Sequence, residues 1–164
     1  MSKILVTGGT GYIGSHTVVE LHNAGYEVII VDNLSNSHIK ILTQLHAITG
    51  KWFDFVEMDL QDDKSVQEFA ENNTDITGII HFAASKAVGE SVEKPLKYYK
   101  NNFYGLINLL TSFTREIDFV FSSSCTVYGQ PDSLPVTEAA PVKKAESPYG
   151  NTKQIAEEIL AEAA

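Results

Sequence analysis

Tyr149 and Lys153 stand four residues apart in a stretch with helical spacing, so their side chains share one face. An unperturbed phenol titrates near about 10 and is no base at neutral pH. A lysine ammonium beside it favours the phenolate. Lowering the phenol by about three units takes roughly 4 kcal/mol of differential interaction. One close cation and a second positive charge in a dry cleft are enough for that. Ser124 follows the apolar run Phe119-Val120-Phe121, and its hydroxyl is suited to orienting or relaying a proton. These three residues are the catalytic candidates. A Y-x-x-x-K pair also arises by chance on helix surfaces, so its meaning depends on the rest of the chain.

The rest of the chain begins with glycines. Gly8, Gly11 and Gly14 follow the first apolar run at three-residue spacing, and Gly9, Gly11 and Gly14 also fit G-x-G-x-x-G. Between a strand and a helix, such a cluster lets the backbone turn tightly and approach a pyrophosphate at the positive helix end. Without that context it would be a tight turn and nothing more. Asp32 ends the second apolar run, where a carboxylate accepts hydrogen bonds from the adenosine ribose and repels a 2′-phosphate. With no arginine near it, the cofactor expected is NAD rather than NADP; turn capping is the plainer role for Asp32. Asp59 closes the third run, with Leu60 after it; an adenine contact and a helix cap are equally compatible with that position. His81, inside Ile79-Ile80-His81-Phe82, reads as a hydrogen-bonded core histidine, and Cys125 as a small buried residue rather than a nucleophile. The carboxylates and histidines show no metal-ligand spacing.

These residues need elements to hold them. Strands are expected at Lys3–Thr7, Glu27–Val31, Phe53–Met58, Gly78–Phe82 and Asp118–Ser122, mostly as continuous apolar runs buried on both faces. Helices fill the gaps. One starts at Tyr12 and stops at Gly25. Another starts near Pro95, with Leu96, Tyr99, Phe103, Leu106, Ile107, Leu110 and Phe113 recurring at spacings of three or four. The last starts near Pro148, with Ile155, Ile159 and Leu160 on one face. The proline-rich stretch Gln130 to Ser147 reads as a surface loop. The alternation predicts an α/β, doubly wound parallel sheet of Rossmann type in the order 3-2-1-4-5, forming one dinucleotide-binding domain over residues 1–164. A complete fold of this kind usually has six strands and five are legible here, so the expectation is a domain whose C-terminal substrate region is absent.

Composition narrows the partners. The formal net charge is −9 and Arg115 is the only arginine, which argues against a nucleic-acid backbone or an anionic membrane. One cysteine excludes an intrachain disulfide and suits a reducing cytoplasm. No segment has the pattern of a signal peptide or membrane span.

Several stretches together resemble the UDP-galactose (UDP-glucose) 4-epimerase family of the extended short-chain dehydrogenases. They are Thr7 to His16, Asp32 to Ser37, His81 to Ser91, Tyr98 to Asn102, Ser122 to Gly129 and Pro148 to Lys153. Ala84-Ser85 stands where the family usually has Gly-Leu, and Cys125 where it has alanine. The resemblance implies that Gly8, Gly11, Tyr12, Ile13, Gly14, Asp32, Asn33, Ser37, Asp59, Leu60, Phe82, Ala83, Lys86 and Asn101 bind NAD. It implies that Ser124, Thr126 and Tyr149 touch the sugar of a UDP-sugar and that Tyr149, Lys153 and Ser124 are catalytic. In the implied mechanism the tyrosinate takes the 4-hydroxyl proton while hydride passes to NAD, and the 4-keto sugar turns and takes hydride back on its other face. The family's residues for the uridine diphosphate, an arginine included, would lie beyond position 164, and its full-length members allow a homodimer. Two other readings stay open: a non-catalytic NAD-binding protein, and an inactive fragment.

Overall fold

The five apolar runs form the strands β1 (Lys3–Thr7), β2 (Glu27–Asp32), β3 (Asp54–Glu57), β4 (Ile76–His81) and β5 (Asp118–Phe121). In the computed structural model, which describes residues 2–164, they pair in parallel in the expected order β3-β2-β1-β4-β5. Register aligns Leu5 of β1 with Ile29 and Ile79, and Val6 with Ile30 and Ile80. Between the strands lie α1 (Tyr12–Asn23), α2 (Lys40–Thr49), α3 (Asp63–Asn72), α4 (Val88–Glu93) and α5 (Pro95–Ser112), followed after β5 by a 3-10 turn (Cys125–Tyr128) and α6 (Pro148–Ala163).

The chain divides into two compact units. One holds the residues up to Ala83 together with Gly105–Ser122, and the other holds Ala84–Tyr104 and Ser123–Ala164. The first contains the sheet. Alternate strand residues point to opposite faces, and both sets are apolar here. Leu5, Ile29, Val31 and Ile79 pack with Val66 and Phe69 of α3 and with Leu109 and Phe113 near α5's end. Val6, Val28 and Ile30 pack with Val18 of α1 and Leu45 of α2. Helices thus cover both faces, and each fully buried aliphatic side chain contributes about 1.5–3 kcal/mol. α1 stops where predicted: Gly25 takes the left-handed conformation (φ 85°) and the Tyr26 N–H closes back on the Leu21 carbonyl at 3.0 Å.

The second unit contains α4, the start of α5, the 3-10 turn and α6, with α6 packed on α4 and on the 3-10 turn. Pro148 occupies the first turn of α6, and the Ser147 hydroxyl caps it by accepting from the Gly150 N–H at 3.1 Å. The face α6 buries is not its aliphatic one. Thr152, Lys153 and Ala156 are buried, while Ile155, Ile159 and Leu160 stay partly exposed. The side of the helix that carries Thr152 and Lys153 is the side packed against its own unit.

Candidate functional site

In the first unit, the glycine loop is shaped by its lack of side chains. Gly8 has φ 69°, and a Cβ there would lie 2.8 Å from the Ala83 nitrogen. A Cβ on Gly14 would lie 2.2 Å from the Gly8 carbonyl oxygen, so α1 can start this close to β1 only with glycine at that position. Gly9 faces Ile30 and Val6, on the core side, so the three-residue spacing Gly8, Gly11, Gly14 is the one that describes the open turn. Gly11 is the N-cap of α1 and offers no side-chain cap, and Tyr12 and Ile13 in the first turn are exposed. A helix start of this kind is a ready anion site. Phe82 and Ala83, just past β4, are held against the loop: their N–H groups donate to the Thr7 carbonyl (3.1 Å) and hydroxyl (3.4 Å).

Asp32 organises the neighbouring loop. Its carboxylate accepts from the Leu34 N–H at 2.9 Å, the Ser37 hydroxyl at 3.0 Å and the Thr10 N–H at 3.2 Å. Leu34 sits at φ 56°, a conformation rare outside glycine that this carboxylate helps to hold. A carboxylate offers about four acceptor positions, so Asp32 keeps capacity for a ligand hydroxyl. Ser37 also pairs with the Thr10 hydroxyl at 2.7 Å, and both line a cleft of about 490 Å³ with Gly11 and Tyr12. Asn33 accepts from the Ser35 N–H at 3.1 Å. Asp59 is exposed and bonds the Gln61 N–H at 2.9 Å; the cap of α3 is Asp62, whose carboxyl Ser65 holds below its ordinary value. Leu60 is buried in the core.

In the second unit, the 3-10 turn brings Ser124 and Thr126 to the start of α6. The Ser124 hydroxyl oxygen accepts from the Thr126 N–H (3.3 Å) and hydroxyl (2.9 Å). A Cβ on Gly150 would meet the Thr126 Cβ at 3.2 Å, so the residue beside Tyr149 must be small for this approach. Two further ties fix the turn to α6, and a third fixes the loop that follows it. Ser123 donates to Glu157, and Gln154 donates to the Val127 carbonyl at 2.6 Å and to the Lys143 carbonyl. Lys153 is 5% exposed, and burial pushes its ammonium down to about 8, with the Glu157 charge pulling the other way. It is therefore still mainly protonated at neutral pH. Lys86 is exposed and Asn101 half-buried, both in this unit.

Sequence reasoning missed Gly150 and Gln154; the small residue next to the tyrosine was the one signal for the first, and nothing local marked the second. Cys125 is exposed, not buried as expected, because β5 stops at Phe121 and Val127 takes the inward position of the 3-10 turn. His81 is buried, bonded to the Thr7 hydroxyl at 2.7 Å and stacked on Phe121, which agrees with a core role. Arg115 donates to the Asn73 and Ile76 carbonyls at 3.0 and 3.1 Å and lies over Phe113. Among the described residues, no helix is long and apolar enough to cross a membrane.

Comparison with known proteins adds a second line of observation. The family model described as GDP-mannose 4,6 dehydratase matches residues 5–163. A UDP-glucose 4-epimerase of Neisseria meningitidis serogroup B is 51% identical over 98% of this chain and 48% of its own length. The crystal structure of a UDP-glucose 4-epimerase from Stenotrophomonas maltophila, with bound NAD and formylated UDP-arabinopyranose, superposes with a TM-score of 0.93 at 43% identity, over all of this chain and 49% of that one. The Bifidobacterium longum UDP-glucose 4-epimerase, in complex with NAD+ and UDP, gives 0.91 at 46% identity, over 98% and 48%. The chain spans about half the length of the curated relatives it matches.

Proposed function

The chain belongs to the GDP-mannose 4,6 dehydratase family, and from that premise we infer that it binds NAD and carries the acid–base residues for epimerisation at carbon 4 of a UDP-hexose, either UDP-glucose or UDP-galactose. The observation that carries this reading is the packing of the Ser124–Thr126 turn onto Gly150, which groups both hydroxyls with the helix of Tyr149 and Lys153. Relatives solved with NAD and with uridine nucleotides support it.

The residues present fit the cofactor. The uncapped start of α1 suits a pyrophosphate, and Asp32 has an acceptor position left for a ribose hydroxyl. We assign Gly8, Gly11, Tyr12, Ile13, Gly14, Asn33, Ser37, Asp59, Leu60, Phe82, Ala83, Lys86 and Asn101 to cofactor binding as well, on the resemblance. NAD, when bound, supplies a hydride acceptor that also returns the hydride. Tyr149 takes the proton from the sugar 4-hydroxyl at its phenolic oxygen and gives it back when the carbonyl is reduced. The protonated Lys153 lowers the cost of the phenolate during that interval. Ser124 orients the 4-hydroxyl toward Tyr149, and Thr126 positions the sugar.

The experiment is interconversion of UDP-galactose and UDP-glucose by the NAD-loaded full-length protein and its Tyr149→Phe variant. Loss of the base should cost about a hundredfold to ten-thousandfold in turnover, with NAD affinity and the far-ultraviolet spectrum unchanged. Near-normal turnover in Tyr149→Phe would show that another group moves the proton.

A further inference from the structure

Asn102, neighbour of the proposed cofactor contact Asn101, is 8% exposed, and every hydrogen-bonding position of its amide is used. The oxygen accepts from the Ser85 N–H at 2.8 Å and from the Asn101 side chain at 2.9 Å. The nitrogen donates to the Ser85 carbonyl at 3.1 Å and to the Thr152 hydroxyl at 3.0 Å. An amide has two acceptor and two donor positions, so this set is saturated, and aspartate or leucine of similar size would leave buried partners unmet. Thr152 is fully buried and lies between Tyr149 and Lys153 in sequence, and its hydroxyl donates to the Tyr149 carbonyl at 2.7 Å. On the far side of Lys86, the Ala87 N–H donates to the buried Tyr98 hydroxyl at 3.1 Å, which donates in turn to Glu90 at 2.9 Å. The backbone on both sides of Lys86 is therefore pinned, and one of the pins runs on to the backbone of Tyr149.

We propose that Asn102 and Thr152 are positioning residues. They form a buried amide–hydroxyl clamp that holds the Ser85–Ala87 segment, with Lys86, in register with the helix that carries Tyr149 and Lys153. The inference rests on the proposed epimerase reading for the roles of Lys86 and Tyr149. The bonds are internal to the second unit. Without the clamp, the Ser85 N–H and carbonyl lose their partner and the helical carbonyl of Tyr149 loses its additional bond from Thr152, so the Ser85–Ala87 segment is no longer tied to α6. A shift of about 1 Å at a base costs up to a hundredfold in rate while leaving groups that bind the substrate elsewhere untouched.

The test uses Thr152→Val, nearly isosteric and lacking the hydroxyl, Thr152→Ser, which keeps it, and Asn102→Ala, all in the NAD-loaded full-length protein. Thr152→Val should lower kcat by about ten- to a hundredfold with KM for UDP-galactose little changed, and Thr152→Ser should restore kcat. Asn102→Ala should also weaken NAD binding in calorimetric titration. If that variant does not fold, the threonine pair still decides. A folded Thr152→Val with the parent's kcat, or a Thr152→Ser as slow as the valine variant, would overturn the clamp as a positioning device. If the parent protein turns over no UDP-hexose, the epimerase reading fails. The clamp is then judged by NAD affinity, where weakening in Asn102→Ala and Thr152→Val supports it and parental affinity in both rejects it.

Discussion

Asp32 does two jobs with one carboxylate. It closes its own loop through Leu34, Ser37 and Thr10, and it keeps an acceptor position beside Thr10 and Ser37, which line the cleft. A fixed negative charge there disfavours a 2′-phosphate, and the chain's arginine is engaged by the Asn73 and Ile76 carbonyls. NAD should therefore bind at least about tenfold more tightly than NADP, a difference of ~1.4 kcal/mol. Calorimetric titration with both cofactors checks this, and equal affinities would sink it. Lys153 gives a second prediction. Its ammonium is lowered from 10.5 to about 8, chiefly by burial. The folded state thus sheds a proton more easily than the unfolded one, and the stability cost is fully present below about 8 and disappears as pH rises toward the unfolded value. At neutral pH that cost is roughly 3 kcal/mol. Lys153→Met should raise the melting temperature at pH 7, abolish turnover and flatten the rise in stability that the parent shows on going alkaline. Parallel pH profiles for the two proteins would count against it. Ser124, Tyr149, Lys153 and Asp32 were all legible as residue types at meaningful spacings. Asn102 and Thr152 were not, because their partners lie 17 and 50 residues away from Asn102.

At the level of elements, the loop between β1 and α1 is the tightest piece of construction in the first unit. A Cβ on Gly14 would sit 2.2 Å from the Gly8 carbonyl oxygen, a backbone atom that cannot swing aside. Gly14→Ala must therefore push α1 away from β1. A cost of about 1–3 kcal/mol is expected from such overpacking, with loss of NAD binding as the anion site at the helix start opens. Thermal unfolding and NAD titration of Gly14→Ala check both; an unshifted melting temperature would mean that the loop relaxes elsewhere. Strand positions were readable from sequence because runs buried on both faces are continuous in apolar residues, and the ends differ from expectation by only one or two residues at most strands. The orientation of α6 was not readable. Its aliphatic residues Ile155, Ile159 and Leu160 share one face, whereas packing on α4 and the 3-10 turn buries Thr152, Lys153 and Ala156.

For the whole molecule, the relevant fact is how its one guanidinium is used. In the proposed reaction, a nucleoside diphosphate held remote from the reacting carbon would supply the binding energy that places the sugar. Arg115, the chain's one guanidinium, is occupied by the carbonyls of Asn73 and of Ile76, the first residue of β4. The 164-residue chain by itself is therefore expected not to interconvert UDP-galactose and UDP-glucose at a useful rate. A coupled assay on monodisperse, NAD-loaded chain measures this directly. Sustained turnover would mean that other surface groups, or a second copy, hold the diphosphate. β5 is the outer strand of the sheet and presents an exposed Val120, so light scattering should accompany that assay to detect edge-to-edge association.

By itself the sequence determined the strand–helix alternation, the sheet order, the glycine turn, the acid at the end of β2 and the spacing of Tyr149 and Lys153. Each of these is written in local periodicity or in residues a few positions apart. Only the tertiary structure decided which glycine spacing forms the open turn, since Gly9 is turned to Ile30 by the packing of β1 on β2. It also exposed Cys125, assigned the cap of α3 to Asp62 rather than Asp59, and engaged Arg115 in backbone carbonyls. Above all it joined Ser85, Asn102 and Thr152 into one buried network. Such a network is set by which polar groups are left facing each other once the apolar surfaces have packed, and no window along the chain contains all of its members.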